Sequence, residues 1–430
     1  MSEVLAIKPV KSVSGRVLLP GSKSMTHRAF LMSALADGQS EVLHALKSED
    51  TLFTAEALSK LGAVVSWEQD RVFIGPPQVR WAVPDGPLYV GNSGTTMRLL
   101  LGVVSAGTGR IVLDGSERMR QRPIGPVAGA LESLGVKCRF LGKEGYPPVA
   151  VVSSGLKSGE AEVDASRSSQ FLSSLLIAAP CAEGPVVLKW RKPVASFPYV
   201  QMTLRMMKER GIEYRNLDET SIEVPAPQKY APGRVEIEGD CSSASYFWAA
   251  AAVTGGRVET YPVFKQSYQG DAAFLDVLEM MGCKVDRWDD VVSVEGPELL
   301  KPVDVDMNTM PDMVPTLAVV AAFAGGRTVI RNVGHLRIKE SDRLSAVATE
   351  LSRVGGDVEI VGDDTLVIKG GRKLHGGLIE TYEDHRIAMA FSILGLRVEG
   401  VVIKNPGVVA KSFPGYWDVF SSLVLRRDGD

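Results

Sequence analysis

The chain has 430 residues, of which 45% are hydrophobic and 23% are charged, a composition typical of globular proteins. Its formal net charge of −3 gives no indication of a general nucleic-acid or membrane-surface binder, so any anion site must be built locally. The length exceeds what one hydrophobic core usually supports, and we therefore expect two domains.

Targeting segments and disulfides are not indicated. The opening stretch MSEVLAIKPVKSV lacks the continuous apolar segment of a signal peptide, and no run of about 18 uncharged apolar residues predicts a membrane span. The cysteines lie far apart without CxxC spacing, which favours reduced thiols over disulfides or a metal site; they are Cys138, Cys181, Cys241 and Cys283. We expect a cytoplasmic protein without membrane or nucleic-acid partners.

One layout recurs along the chain: a short strand, a polar cluster, an apolar helix and a glycine. In the first copy, LPGSKSMTHRAFLMSALADG, the residues Lys23, Ser24 and Arg28 gather at a predicted helix N-terminus. Hydrogen-bond donors and cations at such a terminus attract anions. Copies recur at intervals of roughly 70 residues, and the six lie at 15–38, 88–109, 161–184, 235–256, 303–326 and 378–400.

A second helical pattern follows most copies and ends at a glycine before two strands of period two. The examples lie at 54–76, 127–142, 202–227, 272–297 and 344–371. The first helix of each copy is apolar on nearly all sides and should be buried, whereas the second is amphipathic and should face solvent. We expect three repeats in each domain, a divide near the Pro-rich stretch 225–234, and an incomplete last copy.

Cations stand in or beside the polar clusters: Lys23, Arg28, Arg98, Arg122, Lys339, Arg343, Arg386 and Lys411. A single arginine is usually a solvated surface charge, but equivalent positions in a repeat favour one ligand held by several of them across a domain interface. Arginine makes bidentate contacts to carboxylate and phosphate groups that lysine cannot. We infer a pair of small, highly anionic substrates.

Hydroxyl and amide groups form three further clusters, at 92–96, 166–170 and 242–243. Such residues bind phosphate at helix N-termini, yet they are also the usual helix caps, and for any single cluster the cap is the stronger interpretation. The sequence GSKS at 21–24 resembles the end of a P-loop but lacks its Gly-Lys pairing, which argues against ATP binding by that route.

Two carboxylates are candidates for proton transfer: Asp312 in MPDMVP and Glu340 in KESDRL. The second segment fits a charged helix start equally well. In a cationic site the pKa of a carboxylate is lowered and that of a lysine is lowered too, which suits Lys23 or Glu340 to proton transfer near neutral pH. The histidines have no metal-binding spacing, so we predict no metal; those near the clusters are His27, His335 and His385.

Eight motifs in order resemble the 5-enolpyruvylshikimate-3-phosphate synthase family over essentially the full length: PGSKSMTHRA, GNSGTTMR, RPIGPV, SSQFLSSLL, PDMVPTLA, KESDRL, YEDHRIAM and AKSFPGYW. The resemblance implies the two-domain enolpyruvyl-transferase α/β fold, an inverted barrel-like arrangement of six βαβαββ units with buried parallel helices. It implies one domain of residues 1–20 plus 239–430 and another of residues 21–238, with hinges where they join and the active site in the cleft between them.

The resemblance also implies a reaction, the transfer of the enolpyruvyl group of phosphoenolpyruvate to the 5-hydroxyl of shikimate 3-phosphate, without metal or organic cofactor. The implied catalytic residues are Lys23, Asp312 and Glu340. Those implied to hold shikimate 3-phosphate are Lys23, Ser24, Arg28, Ser168, Ser169, Gln170, Ser196, Tyr199, Asp312, His335 and Lys339. Those implied to hold phosphoenolpyruvate are Lys23, Asn92, Gly94, Arg122, Gln170, Arg343, Arg386 and Lys411.

Within these sets, Asp312 assisted by Lys339 would accept the 5-hydroxyl proton, and Glu340 would deliver or remove the proton at the methylene carbon of phosphoenolpyruvate. Two positions depart from the family pattern: His335 stands where many members have Asn, and Leu99 where many have Pro. We expect a monomer that the inhibitor glyphosate binds in competition with phosphoenolpyruvate, because Gly94 leaves room for it.

Two other functions deserve comparison. The same chemistry on UDP-N-acetylglucosamine uses an active loop that typically carries a cysteine, and the matching stretch GSERMRQRPIG has none. A phosphosugar-binding protein without turnover could share the repeat, but the joint presence of Lys23, Asp312 and Glu340 favours an enzyme.

Overall fold

The computed structural model describes residues 3–78 and 80–424, and the chain divides into two compact units. The insert unit comprises Gly21–Ile237. The terminal unit comprises the residues up to Pro20 and those from Glu238 onward. The chain therefore passes from one unit to the other twice, after Pro20 and after Ile237, the latter one position before the boundary that the resemblance implies.

The α-helices are α1 (Lys23–Ala34), α2 (Glu49–Lys60), α3 (Gly94–Ser105), α4 (Gly125–Ser133), α5 (Ser169–Ala178), α6 (Pro198–Glu209), α7 (Cys241–Thr254), α8 (Phe274–Met280), α9 (Val314–Ala322), α10 (Arg343–Arg353), α11 (His385–Gly395) and α12 (Tyr416–Val424). Three of the short 3-10 turns carry residues discussed below: Pro311–Met313, Gly334–Ile338 and Pro406–Lys411.

The strands are β1 (Val4–Ala6), β2 (Ser14–Leu18), β3 (Ser40–Leu43), β4 (Val64–Glu68), β5 (Arg71–Gly75), β6 (Leu88–Tyr89), β7 (Thr108–Asp114), β8 (Lys137–Phe140), β9 (Val149–Ser154), β10 (Gly159–Val163), β11 (Val186–Trp190), β12 (Arg215–Asp218), β13 (Ser221–Val224), β14 (Arg234–Glu236), β15 (Arg257–Tyr261), β16 (Lys284–Arg287), β17 (Val292–Glu295), β18 (Asp304–Asp306), β19 (Arg327–Arg331), β20 (Asp357–Val361), β21 (Thr365–Lys369), β22 (Gly377–Ile379) and β23 (Val401–Lys404).

The strands of the described residues form six sheets, five of which share one order. In five sheets a leading strand pairs in parallel with a second strand, which pairs antiparallel with the far strand of a hairpin. These sheets are β14-β3-β5-β4, β6-β7-β9-β8, β10-β11-β13-β12, β2-β15-β17-β16 and β18-β19-β21-β20. The predicted α/β fold of repeated βαβαββ units is confirmed. In the sixth sheet, β22-β23-β1, the strand β1 runs antiparallel to β23 and supplies the third strand of the incomplete last copy.

The leading strands of the first and fourth copies are exchanged between the two units. Strand β2 precedes α1 in the chain, yet it pairs with β15 in the terminal unit. Strand β14 precedes α7, yet it pairs with β3 in the insert unit. Both passages between the units follow directly after these strands, so each unit keeps three complete parallel strand pairs.

The burial of the helices follows their sequence patterns. Every residue of α7 and of α9 is buried, as predicted for helices that are apolar on all sides. In contrast, α6 and α10 bury one face and expose the other, as expected for amphipathic helices. The helices that carry polar clusters at their N-termini are therefore fixed by core packing along the rest of their length.

The Pro-rich stretch 225–234 packs onto the insert unit and ends before the second passage between the units. Tyr230 in this stretch is fully buried, and its hydroxyl donates to the carbonyl oxygen of Ile177 at 2.9 Å. The four cysteines are free thiols, and burial raises the pKa of Cys138 and of Cys283 to about 12. Within residues 3–78 and 80–424, no helix has both the length and the apolar character needed to cross a membrane.

Candidate active site

In the insert unit, Lys23 is the first residue of α1, and its ammonium group contacts a buried carboxylate. The distance from Lys23 Nζ to Asp50 Oδ2 is 3.1 Å, and the Asp50 side chain is 2% exposed. Asp50 lies in the first turn of α2, after the N-cap Ser48. Asp50 is not predictable as a site residue from the sequence, because an acidic residue just after a serine cap is typical of any helix start.

Arg28, one turn further along α1, is buried with neutral partners. Its Nε donates to Thr203 Oγ1 at 2.7 Å, its Nη1 to the carbonyl of Ser24 at 3.0 Å, and its Nη2 to the carbonyl of Tyr199 at 3.1 Å. Burial lowers the pKa of Arg28 to about 10, which still leaves the guanidinium charged near neutral pH. The predicted residues Ser24, Arg28 and Tyr199 therefore lie together.

Gly94 and Arg122 are in close contact. Ser93 caps α3, which begins at Gly94, and Arg122 Nη1 donates to the backbone carbonyl of Asn92 at 2.8 Å and to Asn92 Oδ1 at 3.1 Å. A Cβ atom at Gly94 would lie 2.4 Å from Arg122 Nη2, well inside van der Waals contact. The absence of a side chain at Gly94 is therefore what allows the Arg122 guanidinium to lie at this helix N-terminus.

Gln170 joins two polar clusters of the insert unit. Its Oε1 accepts from Arg98 Nη1 at 2.8 Å, and its Nε2 donates to Thr95 Oγ1 at 2.9 Å, which connects α5 to α3. The cap of α5 is Ser168, whose hydroxyl accepts from the Gln170 backbone N–H at 3.3 Å. Both predicted hydroxyl donors at this helix start, Ser168 and Ser169, are largely buried.

Ser196 lies at the turn that leads into α6. Its φ of 56° places this non-glycine residue in the left-handed region, a conformation that is disfavoured for L-residues and concentrated at functional sites. Three residues later, the Tyr199 ring lies 6.0 Å from the Arg28 guanidinium carbon. Ser196 precedes the start of α6 and Tyr199 lies in its first turn, near Arg28.

In the terminal unit, Asp312 is the centre of a network of cations. Its Oδ1 lies 2.8 Å from Arg343 Nη1 and 3.9 Å from Lys339 Nζ, and its Oδ2 lies 2.8 Å from Arg386 Nη2. Burial alone would raise the pKa of Asp312, but the charges of Arg386, Lys339 and Arg343 outweigh it and hold the pKa well below its usual range. Asp312 is therefore ionised throughout the neutral range.

Arg343, the first residue of α10, contacts three carboxylates. Besides Asp312, its Nη2 lies 2.6 Å from Glu340 Oε2 and its Nε lies 2.7 Å from Asp384 Oδ2. Burial lowers the pKa of Arg343, but the surrounding carboxylates, Asp384 first among them, outweigh this effect and raise it. The side chains of Arg343 and Asp384 are 1% and 0% exposed, so this ion network is desolvated and each charge depends on its partners.

Asp384 is a second residue of the network that was not predicted from the sequence, although it lies in the motif YEDHRIAM. It is the N-cap of α11, where its side chain accepts from the backbone N–H of Arg386 at 3.0 Å, and it also accepts from Ser341 Oγ at 3.0 Å. A helix-capping aspartate is common enough that the sequence pattern gives no sign of its second contact, to Arg343.

His335 and Lys411 complete the terminal group. Burial, reinforced by the charge of Lys339, lowers the pKa of His335 to about 3, so His335 is neutral at physiological pH. Its Nε2 is buried and has no hydrogen-bond partner among the described residues. Lys411 ends the turn Pro406–Lys411 and is buried.

The predicted residues thus fall into two groups. The insert unit holds Lys23, Ser24, Arg28, Asn92, Gly94, Arg122, Ser168, Ser169, Gln170, Ser196 and Tyr199. The terminal unit holds Asp312, His335, Lys339, Glu340, Arg343, Arg386 and Lys411. Over the described part of the chain, no group of three or more His, Cys, Asp or Glu side chains is arranged to hold a metal ion. Both groups offer cations to anionic ligands, and only the terminal group combines them with several carboxylates.

Solved structures define the class of protein to which this fold corresponds. The EPSP synthase of Acinetobacter baumannii superposes with a TM-score of 0.82 and 30% identity, over 98% of each chain. The enolpyruvyl transferase NikO of Streptomyces tendae has a TM-score of 0.80 over 98% of each chain, and at 18% identity it shows the fold alone. The fold is that of the enolpyruvyl transferases.

Sequence relatives narrow the assignment to one family. A protein of Syntrophobacter fumaroxidans named 3-phosphoshikimate 1-carboxyvinyltransferase is 50% identical over 97% of this chain and 99% of its own length. The profile of the family described as EPSP synthase (3-phosphoshikimate 1-carboxyvinyltransferase) matches residues 7–420. The chain belongs to the EPSP synthase family, and it is a transferase. The resemblance drawn from the eight motifs is thereby confirmed.

Proposed function

We propose that the residues gathered in the two units catalyse the transfer of the enolpyruvyl group of phosphoenolpyruvate to the 5-hydroxyl of shikimate 3-phosphate, a step in aromatic amino-acid biosynthesis. Family membership supports this reaction. The assignment of residues rests on the Asp312 network. In this network the Asp312 carboxylate lies 2.8 Å from Arg343 and 2.8 Å from Arg386, and Glu340 also contacts Arg343.

Phosphoenolpyruvate presents a carboxylate and a phosphate to the protein. Arg343 and Arg386 are suited to these groups because guanidinium forks bind planar anions in a bidentate manner. In the insert unit, Arg122 holds its guanidinium against Gly94 at the N-terminus of α3, where backbone N–H groups add to the attraction for an anion. The remaining residues assigned to phosphoenolpyruvate are Lys23, Asn92, Gln170 and Lys411.

Shikimate 3-phosphate is held mainly by the insert unit. Ser168, Ser169 and Ser196 take its phosphate, since hydroxyls and backbone N–H groups at helix starts are good phosphate donors. Arg28 and Ser24 take its carboxylate and hydroxyls. The other residues assigned to this substrate are Lys23, Gln170, Tyr199, Asp312, His335 and Lys339. Because His335 is neutral, it contributes a hydrogen bond and no charge.

The chemistry requires three proton transfers. A proton delivered to the methylene carbon develops positive charge at C2 of phosphoenolpyruvate, and the 5-hydroxyl oxygen attacks that carbon while its proton passes to Asp312. The tetrahedral product then loses a proton from the new methyl group, the C2–O bond to phosphate breaks, and phosphate leaves as the double bond reforms. Glu340 and Lys23 share the delivery and removal of the proton at the methylene carbon. The ionised Asp312 is the base that accepts the 5-hydroxyl proton.

Each of the three catalytic groups has a neighbour that fixes it. Lys23 is held by Asp50 at 3.1 Å, Asp312 by Arg386 at 2.8 Å, and Glu340 by Arg343 at 2.6 Å. Such preorganisation is effective because the groups need not reorient when charge develops in the transition state. The enzyme works without metal or organic cofactor, as a cytoplasmic monomer, and glyphosate competes with phosphoenolpyruvate at the cations around Gly94.

The decisive experiment measures phosphate release from the purified protein with phosphoenolpyruvate and either shikimate 3-phosphate or UDP-N-acetylglucosamine as acceptor. We expect release with shikimate 3-phosphate alone. Phosphate release with UDP-N-acetylglucosamine alone would show that the nucleotide sugar is the acceptor. Binding of shikimate 3-phosphate without any release would show a binding protein and would refute the catalytic roles of Asp312 and Glu340.

A further inference from the structure

The segment before α11 contains a turn whose backbone conformation is unfavourable for its residue types. The backbone N–H of Asp384 donates to the carbonyl of Thr381 at 2.8 Å, and the two central residues, Tyr382 and Glu383, have φ values of 53° and 55°. Positive φ at both central positions is the mark of a type I′ turn, which is dominated by Gly, Asn and Asp. Side chains as large as these disfavour the left-handed region, so the surroundings must hold the turn.

A buried carboxylate on α10 holds one side of this turn. The Glu350 side chain is 0% exposed, and its Oε1 accepts from the Tyr382 hydroxyl at 2.7 Å while its Oε2 accepts from the Glu380 backbone N–H at 3.1 Å. Burial and the Glu350 carboxylate raise the pKa of Tyr382 to about 12, so the phenol keeps the proton that it donates. Glu350 is further paired with Arg353, whose Nε lies 3.0 Å away.

The strand β23 and the residue after it hold the other side. Lys404 Nζ lies 2.6 Å from Glu380 Oε2, and Asn405 Nδ2 donates to Glu383 Oε1 at 3.0 Å. Both contacts are partly or fully exposed to solvent, where such pairs contribute little. The buried contact of Glu350 is therefore the stronger restraint on the turn.

The position of this turn sets the position of the arginines. Directly after it, Asp384 caps α11 through the Arg386 backbone N–H and accepts from Arg343 Nε at 2.7 Å. Arg343 and Glu350 lie seven residues apart on α10, about two helical turns, and so project from the same side of the helix. Helix α10 thus contacts the segment 380–386 at two points, through Glu350 at the turn and through Arg343 at Asp384.

We propose that Glu350 and Tyr382 form a clamp that positions the phosphoenolpyruvate-binding arginines, without touching the substrate. The clamp maintains the left-handed turn, the turn places Asp384, and Asp384 orients Arg343 and the start of α11 with Arg386. This inference rests on the proposed function, which assigns Arg343 and Arg386 to phosphoenolpyruvate. It adds a positioning role for two residues outside the substrate-binding set.

The test compares Tyr382→Phe with the parent in steady-state phosphate release. Removing the hydroxyl frees the turn to leave the left-handed region, and we expect the KM for phosphoenolpyruvate to rise about tenfold, the weight of one hydrogen bond to a charged group. The KM for shikimate 3-phosphate and kcat should change less than twofold. Glu350→Gln should act in the same direction because it weakens the acceptor of the same hydroxyl.

A rescue variant separates positioning from general stability. Tyr382→Asn combined with Glu383→Gly installs the residues that a type I′ turn prefers, and this double variant should keep a KM close to that of the parent although it lacks the clamp. The matched control is Tyr230→Phe, which removes another buried tyrosine hydroxyl bond, in the insert unit. It should lower the melting temperature without changing the KM for phosphoenolpyruvate.

Three results would overturn the proposal: an unchanged KM for phosphoenolpyruvate in Tyr382→Phe, an equal rise for both substrates, or a rise of the same size in Tyr230→Phe. A double variant as impaired as Tyr382→Phe would also contradict it, since the turn conformation would then not be the cause. Failure of the proposed function is distinguishable, because the parent itself would then release no phosphate with shikimate 3-phosphate.

Discussion

The arginines considered in the two units have different kinds of partner. In the insert unit, Arg28 donates to hydroxyl and carbonyl oxygens, and Arg122 donates to the oxygens of Asn92. In the terminal unit, Arg343 donates to Asp312, Glu340 and Asp384. A neutral partner orients a guanidinium and leaves its charge uncompensated, whereas a carboxylate orients it and also cancels its charge.

This difference shows that the two halves can bind anions in different ways. Arg28 is oriented in advance by neutral partners, so its charge can act on an incoming anion. Arg343 and Arg386 already contact Asp312 at 2.8 Å each, so an incoming carboxylate must compete with Asp312 for them. On the proposed assignment of phosphoenolpyruvate to these arginines, the bound substrate would take a share of the cations, which would then lower the pKa of Asp312 less and make it a better base.

The largest expected effect comes from removing the competing carboxylate. Asp312→Asn keeps the size of the side chain but abolishes the base, so kcat should fall about 1000-fold. The KM for phosphoenolpyruvate should fall a few-fold, because Arg343 and Arg386 lose their internal anion. Steady-state phosphate release gives both constants. A raised KM with little change in kcat would contradict the comparison, since Asp312 would then only position the arginines.

Asp304→Asn is the matched control for this variant. Asp304 is an exposed carboxylate of the same unit that pairs with Arg331 at 2.5 Å, both side chains being about half exposed. Exposed pairs of this kind contribute about 0–1 kcal/mol to stability. Both kinetic constants should therefore equal those of the parent.

The next largest effect tests the insert half. In Gly94→Ala, the new methyl group would lie 2.4 Å from Arg122 Nη2, so the guanidinium must move. We expect the KM for phosphoenolpyruvate to rise about 30-fold, roughly 2 kcal/mol, the weight of a displaced charge-assisted hydrogen bond. The KM for shikimate 3-phosphate should be unchanged, and glyphosate should inhibit the variant less than the parent. Equal inhibition of both would refute the assignment of glyphosate to this place.

Gly129→Ala provides the control for a helical glycine. Gly129 lies within α4, and a Cβ atom there would meet no atom within 4 Å. The substitution should therefore stabilise the protein by about 0.5–1 kcal/mol through the lower entropy of the unfolded chain. Its kinetic constants should match those of the parent.

The ion network around Asp312 predicts that the free energy of unfolding falls at acid pH. The pKa of Asp312 is lowered in the folded state from its usual value of 3.8, so its stabilisation is fully present above that value and is lost as the pH falls below it towards the folded pKa. Between pH 5 and pH 2, the parent should lose about 2 kcal/mol more of its free energy of unfolding than Asp312→Asn does. Urea unfolding at a series of pH values measures this difference, and parallel curves would contradict it.

Local sequence patterns predicted the repeats and their helices but not the exchange of strands. Helix α7 is recognisable because its run of apolar residues must be buried wherever it packs. Strands β2 and β14 have no such signature: each is short, and its partner, β15 or β3, lies about 200 or more residues away in the chain. Only the family resemblance gave residues 1–20 to the terminal unit.

The candidate active site was also only partly predictable from local sequence patterns. Lys23, Asp312 and Arg386 stand in motifs specific enough to predict roles for them from the sequence, and these roles stay predictions. Asp50 and Asp384 were missed because an aspartate at a helix start satisfies local backbone N–H groups in most proteins. Their contacts with Lys23 and Arg343 join residues 27 and 41 positions apart, and no periodicity within either segment encodes such pairs.

The smallest predicted effect tests an arginine that is held by neutral partners. Arg28→Lys keeps the charge but loses the fork that reaches Thr203, Ser24 and Tyr199, so the KM for shikimate 3-phosphate should rise about fivefold, close to 1 kcal/mol. The matched control is Arg210→Lys, because Arg210 is also buried in the insert unit and donates to neutral oxygens.

Both lysine variants should unfold at a similar, lower urea concentration, since each loses buried hydrogen bonds of the same kind. Only Arg28→Lys should change a kinetic constant, and isothermal titration of shikimate 3-phosphate should show the same fivefold loss of affinity. If the two variants behaved alike, Arg28 would be a structural arginine like Arg210. The contrast with the carboxylate-bound Arg343 would then lose Arg28 as its example in the insert unit.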